Sequence, residues 1–212
     1  MDLARYIDHT NLKPEAKPAD IIRLCQEAAQ YQFAAVCVNP IYVDLAVHHL
    51  KGTGVKVATV IGFPLGAVPT TVKVYEARQA IADKADELDM VIQLGAAKIG
   101  LWEAVIRDIH NVVTAAEEKT VKVIIETALL TEEEKKQACR AVLAGGAHFV
   151  KTSTGFGPGG ATVQDVQLLK QVTQGRIGIK AAGGIRTRAD AEALIAAGAT
   201  RLGTSAGVNL IK

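Results

Sequence analysis

HFVKTSTGFGPGGAT (148–162) is a short β-branched and aromatic run that passes straight into a loop of glycine and proline. Such a run, bounded by turn residues, reads as a β-strand. Working outward from it, runs of the same kind recur about every 20 to 30 residues: AVCVN (35–39), KVATVIG (56–62), ELDMVIQ (87–93), VKVIIET (121–127) and IGIKAAGG (177–184). A short first strand over Arg5 to Thr10 and a last one over Thr200 to Gly203 bring the set to eight. Between them lie PADIIRLCQEAAQY (18–31), TTVKVYEARQAIADKA (70–85), TEEEKKQACRAVLAGG (131–146) and TRADAEALIAAGA (187–199), which have helical spacing. Glycines that close several of these segments are good helix terminators. Strict alternation of strands and helices implies a parallel sheet, because parallel neighbours need a crossover back to the same edge. Eight such units close into an α/β, eight-stranded parallel (β/α)8 TIM barrel, expected as one domain over residues 1–212. An open doubly wound sheet is the alternative, but no GxGxxG turn follows the first strand, as that fold would normally show. No linker or low-complexity tract divides the chain.

Lys+Arg 24 against Asp+Glu 22 leaves a net charge of +2 over 212 residues, with the basic residues spread throughout. That is no footprint for nucleic acid or an anionic membrane. No apolar run approaches the roughly 18 residues that cross a bilayer, and MDLARYIDHTNL lacks the layout of a signal peptide. A cytoplasmic protein is expected. Cys25, Cys37 and Cys139 are odd in number and show no zinc-like spacing, so they read as reduced core residues, with Cys37 alternatively bordering a pocket. His9, His48, His49, His110 and His148 have no metal spacing either, and no metal is expected.

Alternation along a strand sorts the charges. In ELDMVIQ, Leu88, Met90 and Ile92 form the outward set, which leaves Asp89, Val91 and Gln93 facing the lumen. Phe149 and Lys151 share a face, as do Gly178 and Lys180. Both lysines fall at the carboxyl ends of adjacent strands, the rim where barrels place their sites, whereas Lys56 and Lys122 open their strands and belong to the opposite, stability-related end. Each rim lysine alone reads more readily as a solvated strand-end residue, which is what most lysines in such positions are. Together, two ammonium groups near 5 Å apart at an effective dielectric of 20 repel by about 3 kcal/mol, roughly two pKa units. That brings one amine from about 10.4 to around 8, a usable nucleophile for Schiff-base chemistry on a carbonyl. Asp89 is the candidate to move protons, or else a buried counter-ion. Asp8 is a second inward acid or an Asx-turn former, and Glu126 has the same ambiguity. Gly183 and Gly184 after the seventh strand, with Gly203, Thr204 and Ser205 after the eighth, suit an anion site for a phosphorylated small molecule. Their alternative reading is ordinary turn and cap chemistry.

These residues resemble the deoxyribose-phosphate aldolase family of class I aldolases. IDHTNL (7–12), AVCVNP (35–40), ATVIGFPLG (58–66), DELDMVIQLG (86–95), KVIIET (122–127), VKTSTGFGPGGAT (150–162), IKAAGGIRT (179–187) and LGTSAG (202–207) carry the resemblance in family order across almost the whole chain. KTSTG followed by KAAGG is the specific part, and LGTSAG alone is weak. The resemblance implies Lys151 as the Schiff-base lysine, Lys180 as the neighbour that depresses its pKa, and Asp89 as an acid relaying protons through water. Asp8 and Thr10 would orient the sugar, and Thr154, Gly155, Gly183, Gly184, Gly203, Thr204 and Ser205 would surround it and its phosphate. The implied reaction is reversible cleavage of 2-deoxy-D-ribose 5-phosphate to D-glyceraldehyde 3-phosphate and acetaldehyde in deoxyribonucleotide catabolism. It needs no cofactor, and the family commonly forms homodimers or homotetramers. Two departures stand out. Phe156 occupies a place where some members have a phosphate-binding lysine, which shifts that task to backbone amides or Arg186. The tyrosine-ended tail of many members is not among these 212 residues; either this sequence is short or proton transfer relies on Asp89 and water. A sugar-phosphate isomerase, a different Schiff-base aldolase or a barrel that merely binds a phosphorylated metabolite are the rival readings.

Overall fold

A computed structural model describes residues 2–212. Eight parallel strands, β1 (Ile7–Asn11), β2 (Ala35–Val38), β3 (Lys56–Ile61), β4 (Glu87–Val91), β5 (Thr120–Ile124), β6 (Phe149–Lys151), β7 (Gly178–Ala182) and β8 (Arg201–Thr204), pair in sequence order and close through β1 and β8. The closed barrel, and not the open sheet, is therefore the architecture. Around it run α1 (Pro18–Tyr31), α2 (Val43–Leu50), α3 (Thr70–Ala82), α4 (Leu94–Lys98), α5 (Trp102–Ala115), α6 (Glu132–Ala144), α7 (Val163–Thr173), α8 (Arg188–Ala197) and α9 (Gly207–Ile211). No described helix is long and apolar enough to cross a membrane.

The period-2 pattern explains the layering. Leu88, Met90 and Ile92 join Val121, Val123, Val150, Ile179 and Leu202 in the apolar shell between sheet and helices, each contributing about 1.5–3 kcal/mol of burial. A separate small cluster of Leu12, Cys37, Ala58 and Val60, with Phe63 against it, forms the other apolar patch. Helix starts are fixed locally. Thr131 and Glu134 form a reciprocal capping box on α6, and Thr187 with Asp190 does the same on α8, satisfying amides that the first helical turn leaves without partners.

Strand limits differ from expectation in ways the backbone explains. Leu3–Tyr6 winds into a 3-10 turn, so β1 begins at Ile7 rather than Arg5. Glu126 adopts φ 52°, and β5 ends at Ile124 before it. Gly203 and Thr204 belong to β8 itself. Gln93 lies beyond β4, and its side chain donates to Thr70 (3.2 Å) and Asp108 (3.3 Å) on α3 and α5; it does not face the lumen as its alternation suggests.

Candidate active site

β4 points Glu87 and Asp89 inward, and Asp89 is fully buried. Its Oδ2 lies 2.8 Å from the Lys151 Nζ and 2.6 Å from the Lys180 Nζ, and its Oδ1 lies 2.9 Å from the Lys122 Nζ. Lys151 and Lys180 are direct cross-strand neighbours. Lys180 is the third of five residues in β7, deeper than the strand end expected of it.

Lys122 corrects the sequence reading more sharply. It is fully buried within this group, 2.5 Å from Glu87 and 3.8 Å from Asp8, instead of belonging to a separate stabilising end. Its inward register on β5 and four-carbon stem carry the ammonium to Asp89. Lys56 does stay apart, exposed beside Asp86 at 3.9 Å. Arg201 at the start of β8 closes the network, 2.6 Å from Asp8 and 2.9 Å from Glu87. Lys122, Glu87 and Arg201 were all missed as members of the site. The signal was the i, i+2 face shared by Glu87 with Asp89 and by Arg201 with Gly203.

Burial is the main cause that lowers the Lys151 pKa; the Lys180 charge adds to it and the Asp89 carboxylate opposes it. Burial, and not lysine–lysine repulsion as expected from the sequence, is thus the chief cause. Burial also works against the Lys180 ammonium, yet Asp8 and Asp89 hold its pKa well above the ordinary lysine value. For Asp8, burial is outweighed by Lys180, Arg201 and Lys122, which bring its pKa down to about 2. Asp89 is pulled well below the carboxylate range by Lys122, Lys151 and Lys180 despite burial. Burial, then the charge of Asp89, pushes the Cys37 thiol up.

Above this network opens a cavity of about 810 Å³. Lys151, Thr10, Thr154, Gly155, Gly183, Gly184, Gly203, Thr204 and Ser205 line it, as do Phe156 and Arg186. Asp8, Asp89 and Lys180 are fully buried and outside that lining, so Lys151 is the one lysine of the network that meets the cavity. Lys13 and Arg23 also line it, cations the sequence reading did not single out. Among the described residues, no group of three or more His, Cys, Asp or Glu is placed to hold a metal ion.

Two glycine-rich segments dock to form the far wall. A Cβ on Gly160 would fall 2.3 Å from the Gly183 carbonyl oxygen, and the Ala161 amide donates to that oxygen at 3.0 Å. Only a residue without a side chain lets these backbones approach so closely. Glu126, ambiguous in the sequence, supports the same loop: its Oε2 accepts from the Thr154 amide at 3.2 Å and from the Thr154 hydroxyl, which in turn accepts from the Phe156 amide at 3.1 Å. Thr154 therefore lines the cavity with its hydroxyl already engaged. Phe156 stands edge-to-face on Phe63, ring centroids 5.4 Å apart.

Residues 3–212 match the family described as DeoC/LacD family aldolase. A deoxyribose-phosphate aldolase of Thermococcus gammatolerans is 62% identical over 216 residues, spanning all of this chain and 96% of that protein. One from Thermococcus kodakarensis is 59% identical over 215 residues with the same coverage. The tetrameric structure of deoxyribose phosphate aldolase from Aeropyrum pernix superposes with a TM-score of 0.92 at 36% identity, covering 99% of this chain and 89% of that one.

Proposed function

The chain belongs to the DeoC/LacD aldolase family, and from that premise we propose that it cleaves 2-deoxy-D-ribose 5-phosphate reversibly to D-glyceraldehyde 3-phosphate and acetaldehyde, with Lys151 as the Schiff-base nucleophile. The observation that carries this reading is the position of Lys151: a buried amine with a lowered pKa, open to the cavity. A neutral amine attacks the aldehyde carbon of the open-chain sugar, and loss of water leaves an iminium. The iminium accepts the electron pair of the breaking C2–C3 bond as the C3 hydroxyl gives up its proton, releasing glyceraldehyde 3-phosphate. Protonation of the remaining enamine at carbon and hydrolysis release acetaldehyde and restore Lys151.

Held ionised by the charged Lys122 and Lys180, Asp89 enters this cycle as a base and acts as an acid only after it has taken a proton, through water. Lys180 keeps a second positive charge beside the developing iminium and orients Asp89. Asp8 anchors Lys180 from below the cavity, which makes it a positioning residue; Thr10 lies above it, its hydroxyl donating to the Asp8 carbonyl at 2.8 Å. The phosphate belongs against the Gly183–Gly184 turn and the Gly203–Ser205 rim, with Arg186 supplying charge.

Homodimers or homotetramers in the cytoplasm fit this reading. Exposed apolar side chains such as Ile41, Tyr75 and Ile99 favour self-association, and the three free buried cysteines suit a reducing compartment; light scattering on the purified protein decides the assembly. The activity is tested by following glyceraldehyde 3-phosphate release from deoxyribose 5-phosphate with a coupled dehydrogenase. Release together with a borohydride-trapped acetaldehyde adduct on Lys151 is the expected result. An isomerase would give neither.

A further inference from the structure

We infer that the lumen keeps the Lys151 amine unprotonated by an odd charge count, in which four basic side chains share three carboxylates, so that Lys122, Glu87 and Arg201 are positioning residues for the reaction. The inference rests on Lys151 being the nucleophile and says what regulates it. Six of the eight strands contribute to the count. β1 supplies Asp8, β4 Glu87 and Asp89, β5 Lys122, β6 Lys151, β7 Lys180 and β8 Arg201, while β2 supplies the protonated Cys37 thiol. β3 supplies Ala58 and Val60 to the inner apolar patch, and its Lys56 is exposed. Glu126, beyond β5, is committed to Thr154.

A net charge buried in a low-dielectric interior carries a large desolvation penalty. One amine in the set must therefore give up its proton. Arg201 does not deprotonate in proteins, and it contacts two carboxylates. Lys122 contacts three carboxylates and Lys180 two. Among the described residues Lys151 has only Asp89, and it shares that oxygen with Lys180. The proton is lost where the counter-charge is thinnest, which is also where the cavity opens.

The test is the pH dependence of acetaldehyde trapping on Lys151 with cyanoborohydride, the adduct located by peptide mass spectrometry. Acetaldehyde is uncharged, so the acid limb reports the amine. Glu87→Gln removes an anion and moves that limb to lower pH by about one unit. Lys122→Met removes a cation and moves it up by about the same. The double variant removes one charge of each sign and returns the limb to within about a third of a unit of wild type. Because it deletes a pair instead of orphaning an ion, it remains a folded readout where a single variant does not fold. Limbs that stay put, move the same way in both single variants, or fail to return in the double variant overturn the inference alone. A wild type with no adduct on Lys151 overturns the nucleophile assignment and this inference together.

Discussion

Lys73 and Lys151 are both withdrawn from solvent, one outside the barrel wall and one within it, and burial lowers the pKa of both. Lys73, on α3, has one carboxylate to itself: its Nζ lies 2.6 Å from the Asp108 Oδ2 and donates to the Val91 carbonyl at 2.8 Å. The other Asp108 oxygen accepts from Thr70 at 2.7 Å. Charge and hydrogen bonds balance there, and neither residue lines the cavity. Lys151 competes with Lys180 for one carboxylate oxygen and faces open space. A depressed lysine pKa is thus a poor sign of chemistry by itself. The ratio of ammonium to carboxylate and the way out to a cavity separate the reactive amine from the structural one.

Exchanging each amine for a thioether breaks or upholds that contrast. Lys151→Met should lower kcat by about 10⁴-fold or more, since no other lysine of the buried network lines the cavity to form the imine, while leaving the thermal melt close to wild type. Lys73→Met should do the reverse. It leaves the Asp108 charge buried and unpaired, a loss of about 3–5 kcal/mol in urea denaturation, with kcat per folded molecule unchanged. Loss of turnover in well-folded Lys73→Met would erase the distinction between the two sites.

Acid separates the regions less strongly. Asp8 has a folded pKa of about 2 against an ordinary 3.8. A carboxyl with a depressed folded pKa contributes stability above its unfolded value and loses it as pH falls through the folded one. The contribution, of order 2 kcal/mol, should be present at pH 5 and fade between about pH 4 and 2. Asp8→Asn should flatten that part of the stability–pH curve, measured by denaturant unfolding; an unchanged slope would show that Asp8 gains nothing from its three cations.

The barrel was legible because its evidence is local: each strand carries its own period-2 pattern and each helix its own stop. The Lys151–Lys180 pair was legible for the same reason, as β6 and β7 are consecutive and in register. Lys122 was not. Assigning a residue to one end of the barrel by its place in the strand assumes that a side chain acts at the height of its own Cα, and a long lysine stem violates that assumption. Asp89 of β4 meets Lys151 and Lys180 as their buried counter-ion, a reading that inward alternation already offered although the contact crosses the lumen between strands that are not neighbours. Glu126 was illegible in another way. Its role depends on a left-handed backbone turn, which for a residue without special local preference leaves no mark in the pattern.

Glu126 gives the finest test, because it is a buried carboxylate in neither lysine network. Its Oε2 holds the Thr154 amide and hydroxyl, while Oε1 has no partner and packs where a Cβ on Gly157 would sit 3.1 Å away. If charge balance governs the lumen and geometry governs this loop, Glu126→Gln should act on binding and not on chemistry. The amide oxygen can still accept both bonds, but neutral bonds are about half as strong as charge-assisted ones. The Thr154–Phe156 wall loosens, and KM for the phosphorylated sugar rises about fivefold, near 1 kcal/mol, with kcat within about twofold. Acetaldehyde trapping on Lys151 should keep its wild-type pH profile, because the lysine–carboxylate count is untouched. Steady-state kinetics and trapping on the same preparation read both quantities. A kcat that collapses while KM holds would move Glu126 from the wall of the site into its chemistry, and the division between charge-governed and shape-governed regions would fail at its nearest boundary.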